Sequence, residues 1–240
     1  LITATLLLTN THADETLEPI TIVSATKTTQ SIQNTTSNVT VITSEDIEEN
    51  GYQSVAQAIN TVAGISVTNS GGLGQQTSFF VRGADSGKVL VLLDGMRLND
   101  TSTTNGTALL DSLTTSNIEQ IEIIKGGASS IWGADASAGV INIITKKAKD
   151  GIHGNASISY GSYNTKKISS SLSYKKDNFD VILSASKLKS DGFSAIQPRD
   201  DESDGYENSS ANLKLGYHFN DNHKLTFNYN YIDANTEYDG

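Results

Sequence analysis

The stretch FFVRGADSGKVLVLLDGMRLND (residues 79–100) decides the fold of the first half of the chain. It contains two apolar runs, FFV and VLVLL, with a link rich in Gly and Ser between them. A continuous apolar run is typical of a strand that is buried on both faces of a sheet. Asp94-Gly95 supplies the backbone freedom of a tight hairpin turn, so the second run is expected to end in a hairpin. The stretch therefore predicts buried strands within a compact domain.

Helix and strand patterns alternate on both sides of this stretch. VTVIT (residues 39–43) predicts a strand, and Thr43 with Asp46 three residues later predicts a capping box at the start of a short helix. The apolar residues of SVAQAINTV (residues 54–62) recur at helical spacing, and VINIIT (residues 140–145) predicts a last strand. The mixture predicts an α+β domain of ordinary size.

From about residue 151 the pattern changes to strict alternation. Apolar or aromatic side chains take one face, and Ser, Asn, Lys or His take the other, in NASISYGSY (155–163), FDVILSASK (179–187), ANLKLGYHF (211–219) and KLTFNYNYI (224–232). Segments of about ten residues with this alternation are the signature of a transmembrane β-barrel. A soluble antiparallel sheet with one wet face has the same periodicity. A tight link at residues 175–178 followed by a long polar loop at residues 190–209 favours the barrel.

The composition excludes several classes of protein. The chain of 240 residues has a formal net charge of -10, which argues against nucleic-acid binding. Cysteine is absent, so disulfides and thiolate metal sites are excluded. The histidines do not have a metal-ligand spacing such as H-E-x-x-H, and no phosphate-binding G-x-x-x-x-G-K-[ST] motif occurs. Nothing in the sequence indicates catalysis, so the protein is not expected to be an enzyme.

The N-terminal residues indicate export and a strand that has no neighbouring strand. LITATLLLTNTHA (residues 1–13) predicts the apolar part of a signal peptide that is cleaved after Ala13, and the alternative is a short buried strand or helix. LEPITIVSAT (residues 17–26) is a β-branched segment beside an acidic start. Such a segment can add as a strand to the sheet edge of another protein. The alternative is an ordinary first strand of the α+β domain.

Two motifs carry a family resemblance across essentially the whole chain. Residues 79–100 and IEQIEIIKGGASSIWGADASAGVINIITKK (residues 118–147) resemble the TonB-dependent outer-membrane receptors in their order and spacing. NSGGLGQQTSFFVRG (69–83), VLVLLDGMRLN (89–99) and GVINIIT (139–145) are most similar to the cobalamin receptors of that family. One departure is Gly127, where the family often has proline.

The resemblance implies an α+β plug domain followed by the first strands of a transmembrane antiparallel β-barrel of roughly 22 strands. The expected organisation is a truncated signal peptide (1–13), a periplasmic leader (14–30), a plug domain (31–150) and about five barrel strands (151–240). The chain is then an N-terminal fragment of a bacterial outer-membrane protein, which contacts the lipid of that membrane.

The implied function is active import of a scarce ligand, with cobalamin or a related corrinoid preferred. Energy would arrive through TonB and its inner-membrane complex. An iron-siderophore or haem receptor is the alternative within the family, and a passive porin or adhesin barrel is the alternative of a different class. The leader residues that match the TonB box are Pro19, Ile20, Thr21, Ile22, Val23, Ser24 and Ala25.

Further site residues are implied by similarity to the cobalamin receptors. The expected ligand contacts are Gln76, Ser78, Asp85, Thr103 and Thr104. Asp85 stands where those receptors have an amide and Gln76 where they have an apolar residue, and the alternative is that these are only polar loops. Arg82 is expected to latch the plug to acidic side chains of the barrel, because a charge beside an apolar strand needs a partner or water.

The loop QPRDDESDGYENS (residues 197–209) concentrates carboxylates, and oxygen ligands on a flexible loop suit calcium. By similarity to the cobalamin receptors the calcium ligands would be Asp200, Glu202, Asp204, Asp239 and the backbone carbonyl of Tyr238. A further carboxylate of those receptors falls on Ser194. The alternative is a solvated acidic loop without a bound ion.

Overall fold

The structure is a computed structural model that describes residues 2–6, 20–23, 30–31, 38–100, 102, 105–194, 203–220 and 223–238. The chain divides into two compact units. The α+β unit comprises residues 12–69 and 77–145, and the β-sheet unit comprises residues 1–11, 70–76 and 146–240. Within the described residues, no helix has the length and apolar character needed to cross a membrane.

In chain order the strands and helices are β1 (Ile2–Leu6), β2 (Thr21–Ile22), β3 (Gln30–Ser31), β4 (Val39–Thr43), α1 (Ser44–Glu49), α2 (Val55–Ile59), β5 (Ile65–Asn69), β6 (Thr77–Val81), β7 (Ala84–Asp85), β8 (Val89–Leu93), β9 (Met96–Arg97), β10 (Ile118–Lys125), α3 (Ser129–Trp132), β11 (Gly139–Thr145), β12 (Gly151–Gly161), β13 (Thr165–Lys176), β14 (Phe179–Ser190), β15 (Tyr206–Asn220) and β16 (His223–Thr236).

The α+β unit is built on a five-stranded sheet with the order β4-β10-β11-β8-β9. β11 lies antiparallel to β10 and parallel to β8. Every residue of β8 and β11 is buried, which confirms the prediction from their continuous apolar runs. Val89 and Val91 pack in the larger hydrophobic cluster, whereas Leu90 and Leu92 pack in a second cluster. Alternate side chains of β8 therefore enter two separate apolar layers.

The turns and helix ends of this unit follow from local chemistry. The Thr43 hydroxyl accepts a hydrogen bond from the Asp46 backbone N–H, and the Asp46 carboxylate accepts one from the Thr43 N–H, so the capping box is confirmed. The Asp94-Gly95 hairpin is also confirmed, with φ of 48° and 84° between β8 and β9. The α2 helix is shorter than the pattern over residues 54–62 indicates, because the chain after Ile59 continues as a turn.

The β-sheet unit contains one antiparallel sheet with the order β1-β12-β13-β14-β15-β16. The strands β12 to β16 follow residue 150, and large apolar side chains such as Leu172 and Leu183 are exposed on one face of the sheet. Asn208 and Asn212 are buried on the opposite face. β1 lies within the segment that the sequence assigns to a signal peptide, and it pairs with β12. The expected cleavage after Ala13 lies outside the described residues.

Candidate functional site

The leader contains a short strand that pairs with the next short strand of the chain. β2 pairs antiparallel with β3, with Thr21 opposite Ser31 and Ile22 opposite Gln30. The Ile22 side chain is fully buried, while Ile20 and Thr21 are exposed. Burial of one isoleucine side chain contributes roughly 1.5–3 kcal/mol. A single apolar anchor and a two-residue ladder therefore hold this part of the leader in place.

Two polar side chains of β10 hold the backbone of the leader on its other edge. The Val23 N–H donates to both carboxylate oxygens of Glu122, at 3.0 Å to Oε1 and 3.1 Å to Oε2. The Gln120 amide donates to the Thr21 carbonyl at 2.8 Å and to Glu122 Oε1 at 2.7 Å. The Asn142 amide approaches Glu122 Oε2 at 3.4 Å. Glu122 is fully buried, so its carboxylate depends on these donors. We call Gln120 and Glu122 the leader clip.

Of the residues matched to the TonB box, the described ones are Ile20, Thr21, Ile22 and Val23, and Pro19, Ser24 and Ala25 lie outside the described residues. The strand they form belongs to a separate two-stranded sheet and not to the five-stranded sheet. The leader clip was not predicted from the sequence. The available signal was a carboxylate and an amide inside the apolar strand IEQIEIIK, since buried polar groups require partners.

Two loops of the α+β unit that were expected to meet the ligand lie beside each other. Asp85 is exposed, and its carboxylate accepts a hydrogen bond from the Gly87 N–H at 2.9 Å. A Cβ on Gly87 would lie 2.0 Å from the Asn105 carbonyl oxygen, so only glycine fits there. The structure thus brings the turn after Asp85 against Asn105, and Thr103 and Thr104 lie outside the described part.

Asn99 fixes the start of that second loop. Its side chain is buried, accepts from the Val91 N–H at 2.8 Å, and donates to the carbonyls of Val89 at 3.0 Å and Gly106 at 2.9 Å. Next to it, hydrogen bonds from the side chain and backbone of Ser102 lower the pKa of Asp100. The loop therefore carries a negative charge at neutral pH. The side-chain amide of Asn99 holds both of its ends.

The other expected ligand residues lie on and beside the loop of residues 70–76. Gln76 is exposed, and its carbonyl accepts from the Ser70 N–H at 3.1 Å, which closes the loop. Within the β-sheet unit, the Gln75 amide donates to the Glu237 carbonyl at 2.9 Å. Ser78 is half-buried on β6 in the α+β unit, where its carbonyl accepts from the Thr68 hydroxyl at 3.4 Å. The ligand roles of Gln76 and Ser78 stay predictions.

Arg82 follows β6 in a left-handed conformation, with φ of 51°. Its N–H donates to the Gly64 carbonyl at 2.7 Å, and its side chain is exposed. An exposed guanidinium on a fixed backbone suits an ion pair with another part of the molecule. The latch to an acidic side chain of the barrel stays a prediction.

Only part of the expected calcium site is described. Asp204 is buried and Tyr238 is exposed, whereas Asp200, Glu202 and Asp239 lie outside the described residues. The two segments that carry Asp204 and Tyr238 meet, because the Glu237 N–H donates to the Gly205 carbonyl at 2.9 Å and the Gly205 N–H donates to the Glu237 carboxylate at 3.0 Å. Ser194 is also buried. Among the described residues, no three His, Asp or Glu side chains come together as metal ligands.

These features agree with the class of protein that the sequence motifs predict. An α+β unit with a docked N-terminal strand, followed in the same chain by an antiparallel sheet with one apolar face, is the arrangement of a plugged outer-membrane receptor. Residues 31–140 match the family model of the TonB-dependent receptor plug domain.

Known proteins agree with this class. Over 229 residues the chain is 32% identical to the vitamin B12 transporter BtuB of Photobacterium profundum, and the alignment covers 95% of this chain and 37% of that protein. The pyoverdine outer membrane receptor FpvA of Pseudomonas aeruginosa PAO1 has a TM-score of 0.75 at 20% identity, covering 90% of this chain and 30% of that one. A mutant of the ferric enterobactin receptor PfeA of Pseudomonas aeruginosa has a TM-score of 0.68 at 22% identity, covering 82% of this chain and 33% of that one.

Residues 31–140 belong to the plug-domain family of the TonB-dependent receptors, and the chain as a whole is similar to a transporter over 95% of its length. The recognition of the family, the fold class and the outer-membrane location predicted from the sequence are confirmed. The family consists of receptors and transporters and not of enzymes. The chain spans about a third of the length of the relatives and structures it matches.

Proposed function

We propose that the chain works in an active transporter that binds a corrinoid, with cobalamin as the preferred ligand, and that energy for import is delivered through TonB. The docked leader is the observation that carries this proposal. Its backbone is held by the side chains of Gln120 and Glu122 instead of by a full strand ladder. A segment held in this way can leave without dismantling the five-stranded sheet, and it can then add to the sheet edge of a partner.

The preference for a corrinoid is supported by the sequence similarity. The chain is 32% identical to a vitamin B12 transporter over 95% of its length. The siderophore receptors share the fold at 20% and 22% identity, which indicates the architecture and not the ligand. The exposed Gln76 and Asp85 offer hydrogen-bonding groups to an amide-rich ligand, and we propose them as contacts together with Ser78, Thr103 and Thr104.

We also propose that calcium orders the loop that ends at Gly205. The buried Asp204 and the contact between Gly205 and Glu237 bring two of the matched segments together. Oxygen ligands from these segments would suit a hard cation, and a bound ion would fix a loop rich in like charges. The ligands would be Asp200, Glu202, Asp204, Asp239 and the Tyr238 carbonyl.

Titration of the full-length protein with cyanocobalamin tests the ligand. We expect saturable binding at micromolar ligand or below, and tighter binding when calcium is present than when it is chelated. The measurement is intrinsic fluorescence or calorimetry on protein in detergent, with a ferric siderophore as the matched competitor. Absence of corrinoid binding together with saturable siderophore binding would replace the corrinoid by an iron chelate.

A further inference from the structure

We infer that the leader clip, Gln120 and Glu122, determines how often the leader is undocked, by occupying the backbone groups that strand addition would use. The inference rests on the proposed function only for what the released leader then binds. The juxtaposition that carries it is the fully buried Glu122 carboxylate under the Val23 N–H, with the Gln120 amide under the Thr21 carbonyl.

The backbone geometry makes docking and strand addition mutually exclusive. The Thr21 carbonyl and the Val23 N–H both face β10, because they bond to the side chains of Gln120 and Glu122 on that strand. The leader clip occupies this edge of the leader, and β3 pairs along the other. A partner that adds as a strand needs one edge of the leader with its backbone groups free. The side chains of Gln120 and Glu122 therefore take the hydrogen-bonding place of a neighbouring strand.

The chemistry of Glu122 explains why the clip holds. Hydrogen bonds to a carboxylate are roughly twice as strong as those between neutral groups. Glu122 is fully buried in β10, and the Val23 N–H contacts both of its oxygens. Undocking removes that donor from a buried carboxylate, which is costly until water replaces it. The strength of these bonds therefore contributes to the population of the undocked leader, together with the buried Ile22 and the pairing with β3.

Hydrogen exchange of the Val23 amide measures this population directly. In the full-length protein, without ligand or partner, we expect Glu122→Gln to accelerate exchange of the Val23 amide about tenfold, since the charge-assisted bond becomes a neutral one. The matched control is Glu119→Gln, which removes the same charge from the same strand and leaves the contacts to Thr21 and Val23 in place. We expect this control to exchange at the wild-type rate.

A second variant keeps the inference open to refutation if Glu122→Gln fails to fold. Gln120→Ala removes the amide that contacts the Thr21 carbonyl and Glu122 but keeps the carboxylate under Val23. We expect it also to accelerate Val23 exchange, by a smaller factor. Exchange of the amides of the buried strand β11 reports whether each variant is folded. Unchanged exchange at Val23 in a folded Glu122→Gln variant, or equal acceleration in Glu119→Gln, would overturn the inference.

Failure of the clip and failure of the transport proposal give different results. Faster Val23 exchange in Glu122→Gln, together with ligand uptake that does not need the leader, would uphold the clip and refute energised transport. Unchanged exchange in that variant, together with uptake that does need the leader, would refute the clip and leave the transport proposal intact.

Discussion

At the scale of single residues, buried amides and carboxylates position the loops and the leader. Asn99 is the clearest case, because its one buried side chain accepts from the Val91 N–H and donates to two backbone carbonyls. Glu122 has the same kind of role for the leader. Both residues act on backbone and not on a ligand, so their effect on function passes through the position of a segment.

We predict that Asn99→Ala lowers the local stability of β8 by about 1–3 kcal/mol, because the buried Val91 N–H loses its acceptor. Native-state hydrogen exchange of the β8 amides in the full-length protein measures the loss. Asn105→Ala is the control, since it removes an exposed amide from the same loop, and it should leave the exchange of the β8 amides unchanged. Equal exchange rates in Asn99→Ala and wild type would contradict the assigned role of this amide.

Residue roles could be predicted from the sequence where partners are neighbours in the chain. The capping box joins Thr43 to Asp46 across three residues, and the hairpin needs only Asp94-Gly95. Glu122 and Val23 are 99 residues apart, and no local pattern links them. The sequence could place Glu122 in an apolar strand, but it could not tell which distant backbone group that carboxylate would accept.

At the scale of elements, the proposed coupling to a partner depends on the leader strand β2. Its two residues have one edge against β3 and the other against the leader clip, and its one apolar anchor is Ile22. Element types were predicted correctly for the long apolar runs β8 and β11. The length of α2 was predicted wrongly, because its face of apolar residues continues past the end of the helix and through the turn to the buried Val62.

We predict that Ile22→Pro reduces saturable uptake of labelled cobalamin by cells roughly tenfold or more, because proline in the middle of the segment fixes φ at about −65° and opposes the extended pairing that strand addition requires. Binding of cobalamin at the cell surface should persist, since Ile22 is far from the proposed ligand loops in sequence and belongs to the leader. Ile22→Val keeps the backbone donor and the β-branched shape, and it should transport normally. Undiminished uptake in Ile22→Pro would favour a passive barrel.

At the scale of the whole molecule, the chain combines two kinds of burial. The α+β unit covers both faces of its central strands, as soluble proteins do, whereas the β-sheet unit leaves Leu172, Leu183 and Phe227 exposed on one face. The two-residue periodicity predicted this division, although it could not by itself separate a membrane barrel from a soluble sheet. The match to the plug family removes that ambiguity.

We predict that Leu172→Arg destabilises the full-length protein by about 2–4 kcal/mol in lipid vesicles, because it places a charge on the lipid-facing side of β13. Leu172 is 58% exposed in the sheet. Ser171→Arg changes the neighbouring residue on the opposite face, so its cost should be much smaller. Equilibrium unfolding in urea compares the two variants, and equal losses would contradict the assignment of the faces.

The edge position of β4 has a mechanical consequence. Among the described residues, β4 follows the leader strands β2 and β3 and is joined to the five-stranded sheet along one side, by β10. Traction applied to the leader would reach this outermost strand first. It could peel away from its five paired positions while β10, β11 and β8 keep their own ladders. β4 would pair with β10 again when the tension ceases, so a cycle of pulling need not unfold the whole unit.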